Sequence, residues 1–119
     1  MKQKKVYIAG PFRGKNHWEI AENVRRAERA TILIATVGHL PFCPHSMYKH
    51  FQGALPDQFW LDATMEWLKL CDCIYLVSGW EQSEGSRNEL GLAKALGFPV
   101  FTNMTELMSW LENVEKVKP

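Results

Sequence analysis

Glu89 is the residue whose type and surroundings could do chemistry in this sequence. The run Cys73 to Val77 is short, apolar and rich in strand formers, so it reads as a buried strand. Ser78 to Gly85 is polar, with Gly79, Ser83 and Gly85 supplying turn chemistry. A helix then begins between Glu84 and Ser86, with Leu90, Leu92, Ala93 and Leu96 spaced to face a core. Glu89 falls about one turn into that helix. A carboxylate there has two readings. It is a solvated side chain favoured by the positive end of the helix dipole. Or it projects into a crevice, where it attacks or stabilises an electron-poor carbon.

Other candidates lie in the remaining turns. Gly10-Pro11-Phe12-Arg13-Gly14 follows a first strand over Lys5 to Ala9. Gly10 permits close backbone approach, and Arg13 carries a fork suited to anions, although a loop arginine is as readily just solvated. Neither a Walker loop nor a Gly-x-Gly-x-x-Gly fingerprint is present, so a nucleotide must be held another way. His45, Ser46 and Tyr48 follow a second short strand, His39 to Cys43, and open a long stretch, Pro44 to Pro56, that reads as a lid or binding wall. Asp62 and Glu66 sit one turn apart on a helix from Gln58 to Leu70 that Asp57 caps; both are solvated, or one points at a bound sugar.

Stepping outward from these residues, the elements alternate. A helix from His17 to Val37 is capped by Asn16 and stopped by Gly38. On it, Trp18 reads as a packing residue. Phe98 to Phe101 forms a fourth strand, and a last helix follows Asn103 or Thr105 through Val114, with Met104, Leu107, Met108 and Leu111 to cover the sheet or a partner subunit. The order predicts one three-layer α/β/α domain over residues 1–119, with a four- to five-stranded parallel sheet of flavodoxin or Rossmann type. Right-handed crossovers bring the turns at 10–14, 44–56 and 79–85 to one edge. That edge gathers Arg13, His45, Tyr48, Trp80, Ser83 and Glu89.

Composition narrows the classes. A net charge of +1 on 119 residues gives no case for nucleic acid or an anionic membrane surface. No apolar run is long enough to span a bilayer. The basic start, Met1 to Lys5, precedes only a short strand and does not read as a signal peptide, so the expected address is the cytoplasm. Three cysteines argue against a disulfide scaffold. Cys43, His39, His45 and His50 match no zinc spacing, and neither metal nor cofactor is expected.

The motifs Tyr7-Ile8-Ala9-Gly10-Pro11 and Ser83-Glu84-Gly85-Ser86-Arg87-Asn88-Glu89-Leu90-Gly91-Leu92-Ala93 resemble those of the nucleoside 2-deoxyribosyltransferase-like superfamily. The resemblance covers residues 5 to 102. It is strongest to small phage and bacterial members with Pro-Phe/Tyr-Arg-Gly, a Pro-His loop and Ser-x-Gly, here Pro11 to Gly14, Pro44-His45 and Ser83 to Gly85. It implies that Glu89 is the nucleophile toward the anomeric carbon of a nucleoside and that Tyr7 stands beside it. Ser83, six residues earlier, is similar to the serine of branches that hydrolyse nucleoside 5′-monophosphates. By the same resemblance Gly10, Phe12 and Arg13 hold phosphate together with Ser83 and the following Gly85; Trp80, Phe12 or Tyr48 is the ring available to stack on the base, and His45 falls on the same rim. The family's helix aspartate, eight residues ahead of Asp72, is Thr64 here, and Asp62 stands in for it only if it reaches the same place.

The expectation is therefore cleavage of an N-glycosidic bond in a nucleoside or deoxynucleoside 5′-monophosphate, by hydrolysis or by deoxyribosyl transfer. The partner is a small nucleotide or nucleoside, and the family's habit of pairing adds a homodimer or higher homo-oligomer. A non-catalytic nucleotide-binding or sensing module is the alternative, and a structural phage accessory protein is a third reading.

Overall fold

Lys5–Ala9 forms β1, and alternation along it splits the molecule into two cores. Val6 and Ile8 turn to one face of the sheet, Tyr7 and Ala9 to the other, all of them buried. The computed structural model describes residues 2–51 and 53–117. Met1 and Gln52, which belong to the N-terminal and loop readings above, lie outside the described residues. The other elements are α1 (His17–Thr36), β2 (Leu40–Phe42), α2 (Pro44–Tyr48), α3 (Asp57–Leu68), β3 (Cys73–Leu76), α4 (Glu84–Ala95), β4 (Val100–Phe101) and α5 (Met104–Val117).

The strands are parallel in the order β2-β1-β3-β4. Tyr7 pairs with Phe42 on one side and Ile74 on the other, which makes β1 and β3 the central strands. On one face Ala27, Ala30 and Ile34 of α1 and Leu107 and Leu111 of α5 cover Val6, Ile8, Cys73 and Val77. On the other, Leu68 of α3 and Ala93 of α4 cover Tyr7, Ala9, Ile74 and Leu76. Each valine, leucine or isoleucine among them, fully withdrawn from water, contributes about 1.5–3 kcal/mol before chain entropy is counted. The architecture is the expected three-layer α/β/α fold with a four-stranded parallel sheet.

The chain leaves β1 toward β2 on one side and leaves β3 toward β4 on the other. The crevice between the two departures is the topological switch point, where open α/β sheets bind their ligands.

Local chemistry explains where the elements meet expectation and where they depart from it. Asn16 caps α1, its Oδ1 accepting from the Glu19 amide at 2.9 Å. Pro44 enters α2 at the first turn, where its fixed φ suits a helix start, so the predicted loop begins as helix instead. Asn103 rather than Thr105 caps α5, accepting from the Glu106 amide at 3.0 Å. Trp18 does not pack into the core; it is 70% exposed, with the Arg25 guanidinium 5.6 Å from its ring centroid. Met104, Met108 and Trp110 pack against the α1/α5 core, so this part of the last helix is spent on its own sheet.

The three cysteines are free and buried. Among the described residues no cluster of His, Cys, Asp and Glu is arranged to hold a metal ion, and no helix is long and apolar enough to cross a membrane.

Candidate active site

The β1–α1 corner is held by groups from three other elements. Gly10 passes so close to β3 that an added Cβ would lie 2.8 Å from Val77 Cβ, which leaves room for glycine only. Gly79, at φ +94°, turns the chain after β3 beside Pro11. The buried Asn23 of α1 donates through Nδ2 to the carbonyls of Phe12 and Arg13, at 3.2 and 3.1 Å. His45 of α2 donates through Nε2 to the carbonyls of Gly10 and Pro11, at 3.1 and 3.0 Å. Both partners are pure acceptors, so Nε2 carries the proton.

Opposite this corner lies the start of α4. Ser83 caps it, its Oγ accepting from the Ser86 amide at 3.2 Å. The first-turn N–H groups of a helix have no partners within the helix and attract anions. Ser83, Ser86 and Glu89 recur every third residue and share one helix face. Beneath them the Tyr7 hydroxyl donates to Oε2 of Glu89.

Between the two sides is a cleft of about 390 Å³, within the range of small-molecule sites. Gly10, Phe12 and Arg13 form one wall, and His45 and Tyr48 another. Asp57, Trp60, Leu61 and Thr64 of α3 form a third. Ser83, Gly85, Ser86 and Glu89 close the fourth.

The sequence matches, over residues 4–103, the family model described as Domain of unknown function (DUF7768). The chain belongs to the DUF7768 family. No curated protein matches it. Among solved structures it is similar to a 2-desoxiribosyltransferase from Leishmania mexicana, with a TM-score of 0.58 and 24% identity, over 82% of this chain and 61% of that one. The DUF7768 chain thus spans about three fifths of that protein. The likeness is one of fold, a distant structural relationship.

Electrostatics mark the carboxylate of the DUF7768 cleft. Burial pushes the Glu89 carboxyl up to about 7, against the Tyr7 hydrogen bond and the nearby His45, which both pull it down. Burial, then the charge and hydrogen bond of Glu89, raise the Tyr7 phenol well above its ordinary value, while the Thr64 hydroxyl works the other way. For Cys43, burial raises the pKa, but hydrogen bonding with His45, Thr31 and the Ser46 backbone outweighs it and holds the thiol at about 7. Burial disfavours charge on His45, yet Cys43, the Pro11 carbonyl and Glu89 together raise its pKa.

Most of the expected residues converge. Gly10, Phe12, Arg13, His45, Tyr48, Ser83, Gly85 and Glu89 line the cleft, and Tyr7 lies fully buried below Glu89. Two do not. Asp62 is exposed and accepts from Gln58 Nε2 at 2.8 Å, on a different side of α3 from the cleft. Trp80 sits in a 3₁₀ turn, Trp80–Gln82, and packs against the α3/α4 core rather than offering its ring to a ligand. Arg13 is also not free, for it pairs with Asp57 at 2.6 Å.

Of the other lining residues, Thr64 was named from sequence only as a departure from the superfamily pattern, while Trp60 and Ser86 were passed over. Thr64 is buried in the cleft wall, its hydroxyl donating to the Leu61 carbonyl at 2.8 Å, so the position at which the resembled superfamily carries an aspartate faces this cleft. Trp60 Nε1 and Ser86 Oγ are buried without a hydrogen-bond partner among the described residues. The three-residue spacing of Ser83, Ser86 and Glu89 was a usable signal for Ser86. Nothing local distinguished Trp60 from the other aromatic residues of α3.

Proposed function

We propose that this domain cleaves the N-glycosidic bond of a nucleoside or deoxynucleoside 5′-monophosphate. The observation that carries the proposal is the Tyr7–Glu89 pair at one end of a cleft whose neighbouring wall is an open helix start. Phosphate and anomeric carbon are the two ends of a nucleotide's sugar. In the cleft the phosphate binds at Ser83, Gly85, Arg13 and the backbone of Gly10 and Phe12. The sugar then lies along the α4 face, and its C1′ meets Glu89.

Ionised Glu89 attacks C1′ as the bond to the base breaks, and its negative charge stabilises the oxocarbenium-like state between them. Tyr7 orients the carboxylate through its hydrogen bond. The bonding electrons leave with the base, which takes a proton from solvent, since Thr64 has no acidic proton to give. Water, or a second base, then takes the sugar from Glu89. Phe12 and Tyr48 offer rings to the departing base. The solved neighbour is named a 2-desoxiribosyltransferase, and the shared fold supports the same kind of bond here.

Thr64 favours a second reading, in which the cleft binds a nucleotide and senses it without cleaving it. The test is incubation with a panel of nucleoside 5′-monophosphates and detection of free base. Release that disappears in Glu89→Gln supports the enzyme. Binding with no release supports the sensor. Equal release by the parent and Glu89→Gln overturns the role of Glu89.

A further inference from the structure

The cleft is not a positive pocket. Among the described residues lining it, Arg13 is the only lysine or arginine, while Asp57, Glu84 and Glu89 all bring carboxyl groups. The guanidinium of Arg13 is already taken. It reaches from the β1–α1 corner to Asp57 at the first turn of α3, at 2.6 Å, with the two side chains 65% and 61% exposed. An ion pair in water at this exposure is weak and easily exchanged. A guanidinium fork binds carboxylate and phosphate through the same donors. Asp57 also has a second source of support, the positive end of the α3 dipole. It can therefore release Arg13 without being left uncompensated.

We propose that Asp57 is a specificity-determining residue that competes with the substrate's phosphate for Arg13. The inference rests on the reading of the cleft as a nucleoside monophosphate site. A phosphorylated ligand displaces Asp57 from Arg13 and pushes the carboxylate outward to solvent. An unphosphorylated nucleoside leaves the pair closed across the mouth. The pair thus lowers affinity for monophosphates in particular and leaves nucleoside affinity untouched.

The experiment is calorimetric titration of the whole chain with the 5′-monophosphates of the common bases, each beside its own nucleoside. Asp57→Asn keeps the shape of the side chain and removes its charge. It is expected to tighten monophosphate binding about three- to fivefold while nucleoside binding stays the same. In an Arg13→Gln background the gain should shrink to within about twofold, because the competition no longer exists. A gain that persists in full without Arg13 means simple repulsion and overturns the proposal. So does no change, a weakening, or an equal change for both ligands. A parent protein that binds neither ligand overturns the functional reading itself. A parent that binds monophosphates with Asp57→Asn unchanged overturns only the role of Asp57. Thermal melting of each variant confirms that folding is intact.

Discussion

The Tyr7 hydroxyl donates to Oε2 of Glu89, joining a central strand to the second turn of α4. Eighty-two residues of sequence separate the two side chains. Tyr7→Phe removes the donor and leaves a half-buried carboxylate without its partner. A hydrogen bond to a charged group contributes about 1.5–3 kcal/mol, so base release should fall about 10- to 100-fold. The acid limb of the rate profile should move to higher pH, because this hydrogen bond pulls the Glu89 pKa down. A profile that keeps its position would show that Tyr7 does not tune the carboxylate.

Stability and base release should respond oppositely to pH through Glu89. In the folded chain it holds its proton up to about 7; unfolded, it loses it near the ordinary value of about 4.3. Between the two values the folded state binds more protons. Its contribution to stability is therefore complete below the unfolded pKa and is lost as pH rises through about 7. Relative to Glu89→Gln, the melting temperature of the parent should fall as pH rises across this window. Base release, which needs the ionised carboxylate, should rise over the same window. Parallel melting curves for parent and variant would contradict the raised pKa.

Two glycines of the cleft should answer differently to the same substitution. Gly10→Ala places a Cβ 2.8 Å from Val77 Cβ in the core and should cost about 1–3 kcal/mol in urea unfolding. Gly85→Ala meets Leu61 Cδ2 at 3.8 Å and Ser83 Oγ at 4.0 Å, which are ordinary contacts. Alanine favours helix over glycine by about 0.5–1 kcal/mol, so stability should hold or rise. The added methyl stands in the cleft, however, and nucleotide binding should weaken. Destabilisation by Gly85→Ala would mean that the start of α4 is more tightly packed than its neighbours indicate.

Ser86 is 1% exposed, and its Oγ finds no partner among the described residues. A buried hydroxyl left unpaired costs about 1–3 kcal/mol. Ser86→Ala should therefore raise the urea midpoint of the free protein. If the hydroxyl meets the ligand's sugar, the same variant should lose part of the rise in melting temperature that a bound monophosphate gives. A lower midpoint in the free protein would show that the hydroxyl is already satisfied.

Much of this arrangement could be read from the chain alone. Glycine and proline after β1, an asparagine cap before α1, a polar turn before α4 and apolar periods of two and of three to four residues each act locally. They point to parallel strands with helices between them, and to turns at one edge. Glu89 stood out as a carboxylate about one turn into the helix after β3, but the local sequence left it either solvated or facing a crevice, and only the packed structure turns it to the cleft and to Tyr7. Asp62 was left open between water and a bound sugar because two residues along a helix are about 200° of rotation, and only packing says which side meets the sheet. α3 turns Thr64 inward and leaves Asp62 in water. Trp80 was misread because a turn residue beside a cleft and one folded back on the core look alike in sequence.

The order of elements, the corner at Gly10 and the cap at Asn16 follow from the sequence by itself, since each depends on backbone preferences of neighbouring residues. Tertiary structure decided the partners: Tyr7 for Glu89, His45 for the carbonyls of Gly10 and Pro11, Asp57 for Arg13. Those pairs join residues far apart in the chain. Helix rotation and strand register set their distances, and these emerge only when the two cores close on the sheet.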